Sequence, residues 1–254
     1  MQIIKHNPMI FLAFIAMLIL FGLSMLDPIS QDITYHNFAD TRSFYHISNF
    51  WNVLSNLAYL LVGLYAFYAL LVSRKLVYEK QMKVAYMYFF MGIILVSFGS
   101  GYYHLAPNNE TLIWDRLPMV IAFMSLFAIV ISEFISLEEG KRLLYPLLVL
   151  GIFSVLYWAY TQMQGYGDLR LYVFVQFFPM LIIPMLLLYF KSTFTRLRGY
   201  WYLLVTYLAA KICEHFDTAI YEILGFMSGH TLKHILSAFG LYLLLKMMTE
   251  RINT

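Results

Sequence analysis

Charge is what this sequence has least of. Only 12% of its 254 residues are Asp, Glu, Lys or Arg and 61% are hydrophobic, whereas about a quarter of a soluble domain is charged. One compact core cannot hide that much apolar surface, so lipid must solvate much of it, and the same composition excludes disorder. The single cysteine, Cys213, rules out an internal disulfide and any CxxC or Cys/His zinc-finger spacing. No repeat with a period of about 20–50 residues is visible and no long Gly/Ser- or Pro-rich linker interrupts the chain, which leaves one bundle as the expectation. The basic excess is slight, 17 Lys and Arg against 14 acids for a net charge of +3, so no nucleic-acid partner is expected.

In place of charge there is a series of apolar stretches of the length an α-helix needs to cross ~30 Å of hydrocarbon at 1.5 Å per residue. They predict spans at 9–26, 50–73, 84–104, 112–136, 143–161, 171–190, 199–216 (or on to 224) and 230–248. The fold class expected is therefore an all-α integral membrane protein, with a seven-helix transmembrane core and an extra N-terminal transmembrane helix. The runs are continuously apolar rather than alternating with period two, which argues against a β-barrel. Pro146, Pro179 and Pro184 fall inside spans, where they kink helices that neighbouring helices can still satisfy.

Cytoplasmic loops retain positive charge, and placing the N-terminus inside puts 12 Lys and Arg on that side. Only Arg42, Arg116, Arg170, Lys211 and Lys233 are left outside. Both termini are thus expected in the cytoplasm of a bacterial cell, with the protein in its inner membrane. The first segment, 1–26, reads as an anchor; Lys5 and His6 ahead of an apolar run also describe a signal peptide, with Gly22-Leu23-Ser24 as its cleavage site. Residues 27–254 form the expected seven-span domain.

A strongly polar side chain at membrane depth costs about 2.5–3.5 kcal/mol on insertion scales, so such residues face a bundle interior or a wet cavity. With this topology they gather at one extracytoplasmic level: Asn52, Ser55, Asn56, Ser100, His104, Asp115, Glu214, His215, Asp217, His230 and His234. Residues four apart share a helix face, so His230 and His234 can present both imidazoles to one point. A third imidazole from another helix, with His104 the natural candidate, would complete a three-histidine set with a vacant fourth position, the arrangement in which zinc holds a reactive water.

Plainer readings stand beside each of these. A helical HxxxH also ligates haem, bonds interhelical carbonyls or sits at the headgroup level. Asp115, at the start of a helix with Pro118 in its first turn, also reads as an N-cap, and Ser100 as a hydroxyl bonded back to its own helix. Asn52, Ser55 and Asn56 also read as interhelical glue. Lys211, Glu214, His215 and Asp217 are spaced to neutralise one another.

Three segments, taken together, resemble the alkaline ceramidase family of integral-membrane zinc amidases. They are Asn49-Phe-Trp-Asn-Val-Leu-Ser-Asn56, Gly99-Ser-Gly-Tyr-Tyr-His104 followed by Asp115 and Pro118, and Gly229-His-Thr-Leu-Lys-His-Ile-Leu-Ser237. The likeness runs from about Tyr35 to the C-terminus, and Thr34–Arg42 looks like the version in short bacterial members. It implies a seven-helix core with zinc on His104, His230 and His234, and with Ser100 and Asp115 beside the metal. The wider superfamily includes adiponectin-receptor-like and haemolysin III-like proteins, and the FWN-x-x-SN segment favours the ceramidase branch. One departure concerns calcium, because the family carries an acidic residue before FWN and further acids upstream that bind the ion. Here that position is Asn49, and Asp27, Asp32 and Asp40 remain either to hold calcium or as solvated loop charges.

The resulting expectation is a hydrolase of sphingolipid metabolism that cleaves the amide of ceramide or another N-acyl lipid entering from the bilayer. Zinc would lower the pKa of a bound water, with Asp115 as proton shuttle and Ser100 as oxyanion donor. The alternatives are a seven-transmembrane receptor or sensor with structural zinc and little hydrolysis, and a transporter, against which the absence of paired broken helices counts.

Overall fold

The computed structural model describes residues 7–254; Lys5 and His6 lie outside the described residues. The elements are α1 (Pro8–Ser24), α2 (Phe50–Leu54), α3 (Leu57–Phe67), α4 (Lys83–Leu105), α5 (Asn109–Phe134), α6 (Leu137–Met163), α7 (Arg170–Tyr189), α8 (Arg198–His215), α9 (Asp217–Leu224) and α10 (Gly229–Glu250). No strand longer than an isolated bridge occurs among the described residues, so the protein is all-helical. Five runs are long and apolar enough to cross a membrane: Phe50–Val72, Lys80–Leu105, Asn109–Phe134, Leu137–Met163 and Arg170–Tyr189. The apolar α1 is shorter, at 17 residues, and α8 and α10 carry Lys211 and Glu214, and Lys233, within their lengths.

α5 is the axis of the bundle. Every residue from Met124 to Phe134 is buried, as expected of a helix that is apolar on all sides. α4, α6 and α7 all pack against it. The outer faces carry large exposed apolar side chains along their length, among them Phe153, Leu156, Leu181, Leu188, Val205 and Leu208, a surface suited to lipid. α1 lies at the periphery, where Leu12 packs beside Met185 and Leu186 of α7.

Several expected boundaries move. The 50–73 span is divided at Ser55-Asn56, where the backbone tightens into i to i+3 bonds, Asn56 to Val53 and Ala58 to Ser55, and it ends in a π turn at Tyr68–Val72. The 199–216 helix does not run on to 224: it stops at His215, and α9 is a separate helix after Phe216. The helix expected from 112 starts at Asn109. Its N-cap is Asn108, whose side chain accepts from Glu110 and Thr111 in a reciprocal capping box. Asp115 therefore lies in the second turn and is not the cap. α7 stays continuous through Pro179 and Pro184.

Two ends result. Val77 N donates to Met248 O, Thr193 N to Glu133 O and Thr195 N to Ile252 O, so the loops after α3, α5 and α7 meet at one end, where most of the basic loop residues sit. The segment between α1 and α2 covers the other end: Leu169 N donates to Ile29 O, His36 bonds Tyr103 (2.8 Å) and Asn109 (2.9 Å), and Arg42 donates to Phe226 O.

Candidate metal centre

At the covered end, the close approach of α4 to α5 brings the first two site residues together. Pro118 has no N–H, so the carbonyl of Trp114, four residues earlier, is released from the helix ladder. That carbonyl lies over Gly99 of α4, where any Cβ would collide with it. The glycine lets the backbones meet, and the next residue, Ser100, becomes the polar neighbour of the Asp115 carboxylate. Both are buried, at 3% and 7% exposure. A second close approach sets α10: a Cβ on Gly229 would strike the Cys213 carbonyl of α8, and Ser228 caps the helix by accepting from Thr231 N. Its first full turn begins with His230.

His104 at the end of α4 and His230 and His234 on α10 converge, with ligating nitrogens all within 4.8 Å of one another. The three rings are buried, and their centroids are 4.8, 4.9 and 5.0 Å apart. Among the described residues this is the one group of three or more His, Cys, Asp or Glu so arranged. Each histidine is held from outside the cluster. Ser55 Oγ lies 2.8 Å from His234 Nδ1, which leaves Nε2 free. Asn49 donates to the His104 carbonyl at 2.8 Å, and Asp217 accepts from the His230 backbone N–H at 2.6 Å. The Phe38 ring packs on His104 and His230 at 4.7 and 4.5 Å. His104 Nδ1 and His230 Nε2 are buried without a hydrogen-bond partner. Buried imidazole nitrogens left unpaired are costly unless something fills them, so the three residues fit a metal ion. Zinc suits an all-imidazole set.

A cavity of about 430 Å³ opens beside the cluster, lined by His234, Ser100 and Asp115. It continues past Val96, Ile93 and Phe89 of α4 and Met119, Phe123 and Leu126 of α5. From Ser100 to Phe89 that is a descent of about 16 Å along a helix, into a mostly apolar lining whose polar members include Gln176 and Tyr207. Its lining also includes the polar side chains of Gln31, Tyr35, Arg116, Lys211, Glu214 and Lys233.

The sequence profile of the Ceramidase family matches residues 36–250, a stretch that contains every element of this centre. The chain is a member of the ceramidase family. No curated protein matches it. Family membership makes it an amidohydrolase of the ceramidase type, and the three-histidine group is where this ceramidase-family chain could hold a metal.

Other residues anticipated from the sequence have different fates. Asp27, Asp32 and Asp40 form no such group among the described residues. Asp40 is buried and paired with Arg42 at 2.7 Å, while Asp32 caps the short turn Ile33–His36 by accepting from Thr34 N, and hydrogen bonding from the Thr34 side chain and then its backbone lowers the pKa of that carboxyl. Lys211 does pair with Glu214, at 2.6 Å, but Lys233 joins them from α10 at 2.9 Å. His215 is exposed, and Asp217 is occupied with the backbone of Ala39 and His230. Two contributions escape sequence reasoning. Ser55 reads as helix glue, yet its partner is a site imidazole 179 residues away. Phe38, in a loop, carries no pattern that would mark it as a cover for the rings.

Proposed function

We propose that the protein is a zinc-dependent membrane hydrolase that cleaves the amide of ceramide or a related N-acyl lipid, giving a fatty acid and an amine. The observation that carries this reading is the cavity, which joins a buried three-histidine group to an apolar channel through Ser100 and Asp115. His104, His230 and His234 would hold the zinc, which when bound supplies a water acidified from 15.7 toward ~7.

The chain's own residues do the rest. Ser55 holds the His234 imidazole by its Nδ1, as outer partners of ligating histidines do, while Asn49 and Asp217 fix the backbone that carries His104 and His230. Asp115 takes a proton from the attacking water and returns it to the departing amine nitrogen; its enclosure among apolar helices suits a carboxylate to that two-way transfer. Ser100 donates a hydrogen bond to the amide oxygen as negative charge develops there, a contribution of roughly 2.7–4 kcal/mol where one such donor has been removed elsewhere. Ile93, Phe89 and Phe123 exclude water from the acyl chain. We further place α8 and α10 in the membrane with the five apolar runs, giving a seven-helix catalytic domain over 27–254 and an N-terminal anchor over 1–26. The site then lies near the extracytoplasmic face.

The test is zinc per mole and fatty-acid release from N-acyl lipids, on detergent-purified wild type, Asp115→Ala and His230→Ala. Wild type should hold close to one zinc and turn over; Asp115→Ala should keep the metal and lose roughly 10²–10⁴-fold in rate; His230→Ala should lose both. Normal turnover in Asp115→Ala removes the proton shuttle. A wild type that holds no zinc after metal-supplemented purification removes the hydrolase reading.

A further inference from the structure

Arg116 follows Asp115 on α5 and lines the same cavity. Its guanidinium is clamped between Trp158 (4.3 Å) and Tyr172 (4.6 Å), and one nitrogen, Nη2, donates to Gln31. The side chain is nine-tenths buried and Nη1 has no hydrogen-bond partner. Among the described residues no carboxylate comes within ion-pair distance of it; each of the eight ion pairs involves another cation. The carboxylate of the preceding residue, Asp115, lines the same cavity but makes no ion pair with Arg116, and a buried guanidinium with a free N–H and no paired anion is expensive.

The nearby carboxylate of Glu214 cannot supply the missing charge. It is engaged by Lys211, Lys233 and the Tyr35 hydroxyl. Both ammonium groups keep N–H donors beyond the one each spends there. The polar part of the cavity thus holds three cations, Arg116, Lys211 and Lys233, against the carboxylates of Glu214 and Asp115, and it is where the amine half of an N-acyl lipid would sit once its acyl chain occupies the apolar part.

We infer that the substrate carries an anionic group on its amine half, a carboxylate or a phosphate, which pairs with Arg116 in the polar part of the cavity. A planar, rigidly clamped guanidinium is suited to binding such oxygens through two parallel hydrogen bonds. Arg116 is then a specificity-determining residue, and as a statement about turnover the inference rests on the amide-hydrolase reading.

Three lipids with one acyl chain separate the possibilities: N-oleoylglycine, N-oleoylphosphoethanolamine and the neutral N-oleoylethanolamine. Both kcat/KM and the Kd of the radiolabelled lipids are measured on zinc-loaded wild type, Arg116→Gln and Arg116→Lys, with zinc content as the check on folding. Wild type should favour at least one anionic lipid over the neutral one by tenfold or more, and whichever of the two leads identifies carboxylate or phosphate. Arg116→Gln should bring that ratio close to one, and Arg116→Lys should restore part of it. Equal or better use of the neutral lipid by wild type, or a ratio unmoved in Arg116→Gln, overturns the inference. If no lipid is cleaved, the hydrolase reading fails while the Kd ratios still decide the anion question; if none binds, both fall.

Discussion

Ser55 Oγ touches His234 Nδ1 at 2.8 Å, and that contact decides which ring nitrogen faces the other two imidazoles. An imidazole tethered at one nitrogen presents the other in a fixed tautomer and direction. Ser55→Ala should therefore weaken zinc binding by roughly 10–100-fold, read by competition with a chelator; an unchanged affinity would return Ser55 to interhelical packing. Asn49 makes a related point. It adopts a left-handed conformation with φ 48°, which Asn tolerates better than most residues, and its amide N–H donates to the His104 carbonyl. A carboxylate at this position has no proton to give, so the departure from the family's acidic residue has a structural use here.

The element that carries most of the site is the α4–α5 pair, and two glycines two residues apart separate packing from helix propensity. Gly99 lies under the Trp114 carbonyl, whereas nothing comes within 4 Å of a Cβ placed on Gly101. Gly99→Ala should destabilise by about 1–3 kcal/mol through overpacking. Gly101→Ala should be neutral or stabilising by up to about 1 kcal/mol, the propensity difference. Melting in detergent measures both, and equal effects would show that the helices do not meet closely at this point. The start of α5 is a further case. Pro118 and Asp115 suggest a helix beginning near 112, but the capping signal lies earlier, in Asn108 and Thr111, in a stretch too polar to look like part of a span.

At the scale of the whole molecule, the end opposite the histidines is locked by a buried network. Arg251 pairs with Glu133 at 2.8 Å, both side chains fully buried, and Tyr86 and Tyr200 donate to the same carboxylate. Glu133→Ala leaves the guanidinium without its anion and should cost about 3–5 kcal/mol, while Glu133→Leu combined with Arg251→Met should recover most of that. Metal content should hold in the double variant, because the three-histidine group is at the other end; a double variant no more stable than the single would deny the pairing its role. The same two-ended layout tests the orientation. In a Cys213→Ser background, a cysteine at Gly165 should react with an impermeant thiol reagent in intact cells and one at Glu79 should not; the reverse pattern inverts the topology. The sequence by itself determined the helical membrane class, most of the span positions and the two HxxxH histidines, because apolar length and i, i+4 spacing are local quantities that packing does not alter. It also singled out His104, Ser100 and Asp115, through the set of motifs rather than through any one spacing. Only the tertiary structure decided that Ser55 belongs to His234, that Lys233 shares Glu214 with Lys211, and that Arg116 is left without an anion. Each of those pairings joins residues distant in sequence, and which of them form depends on where glycines and a proline let the helices touch.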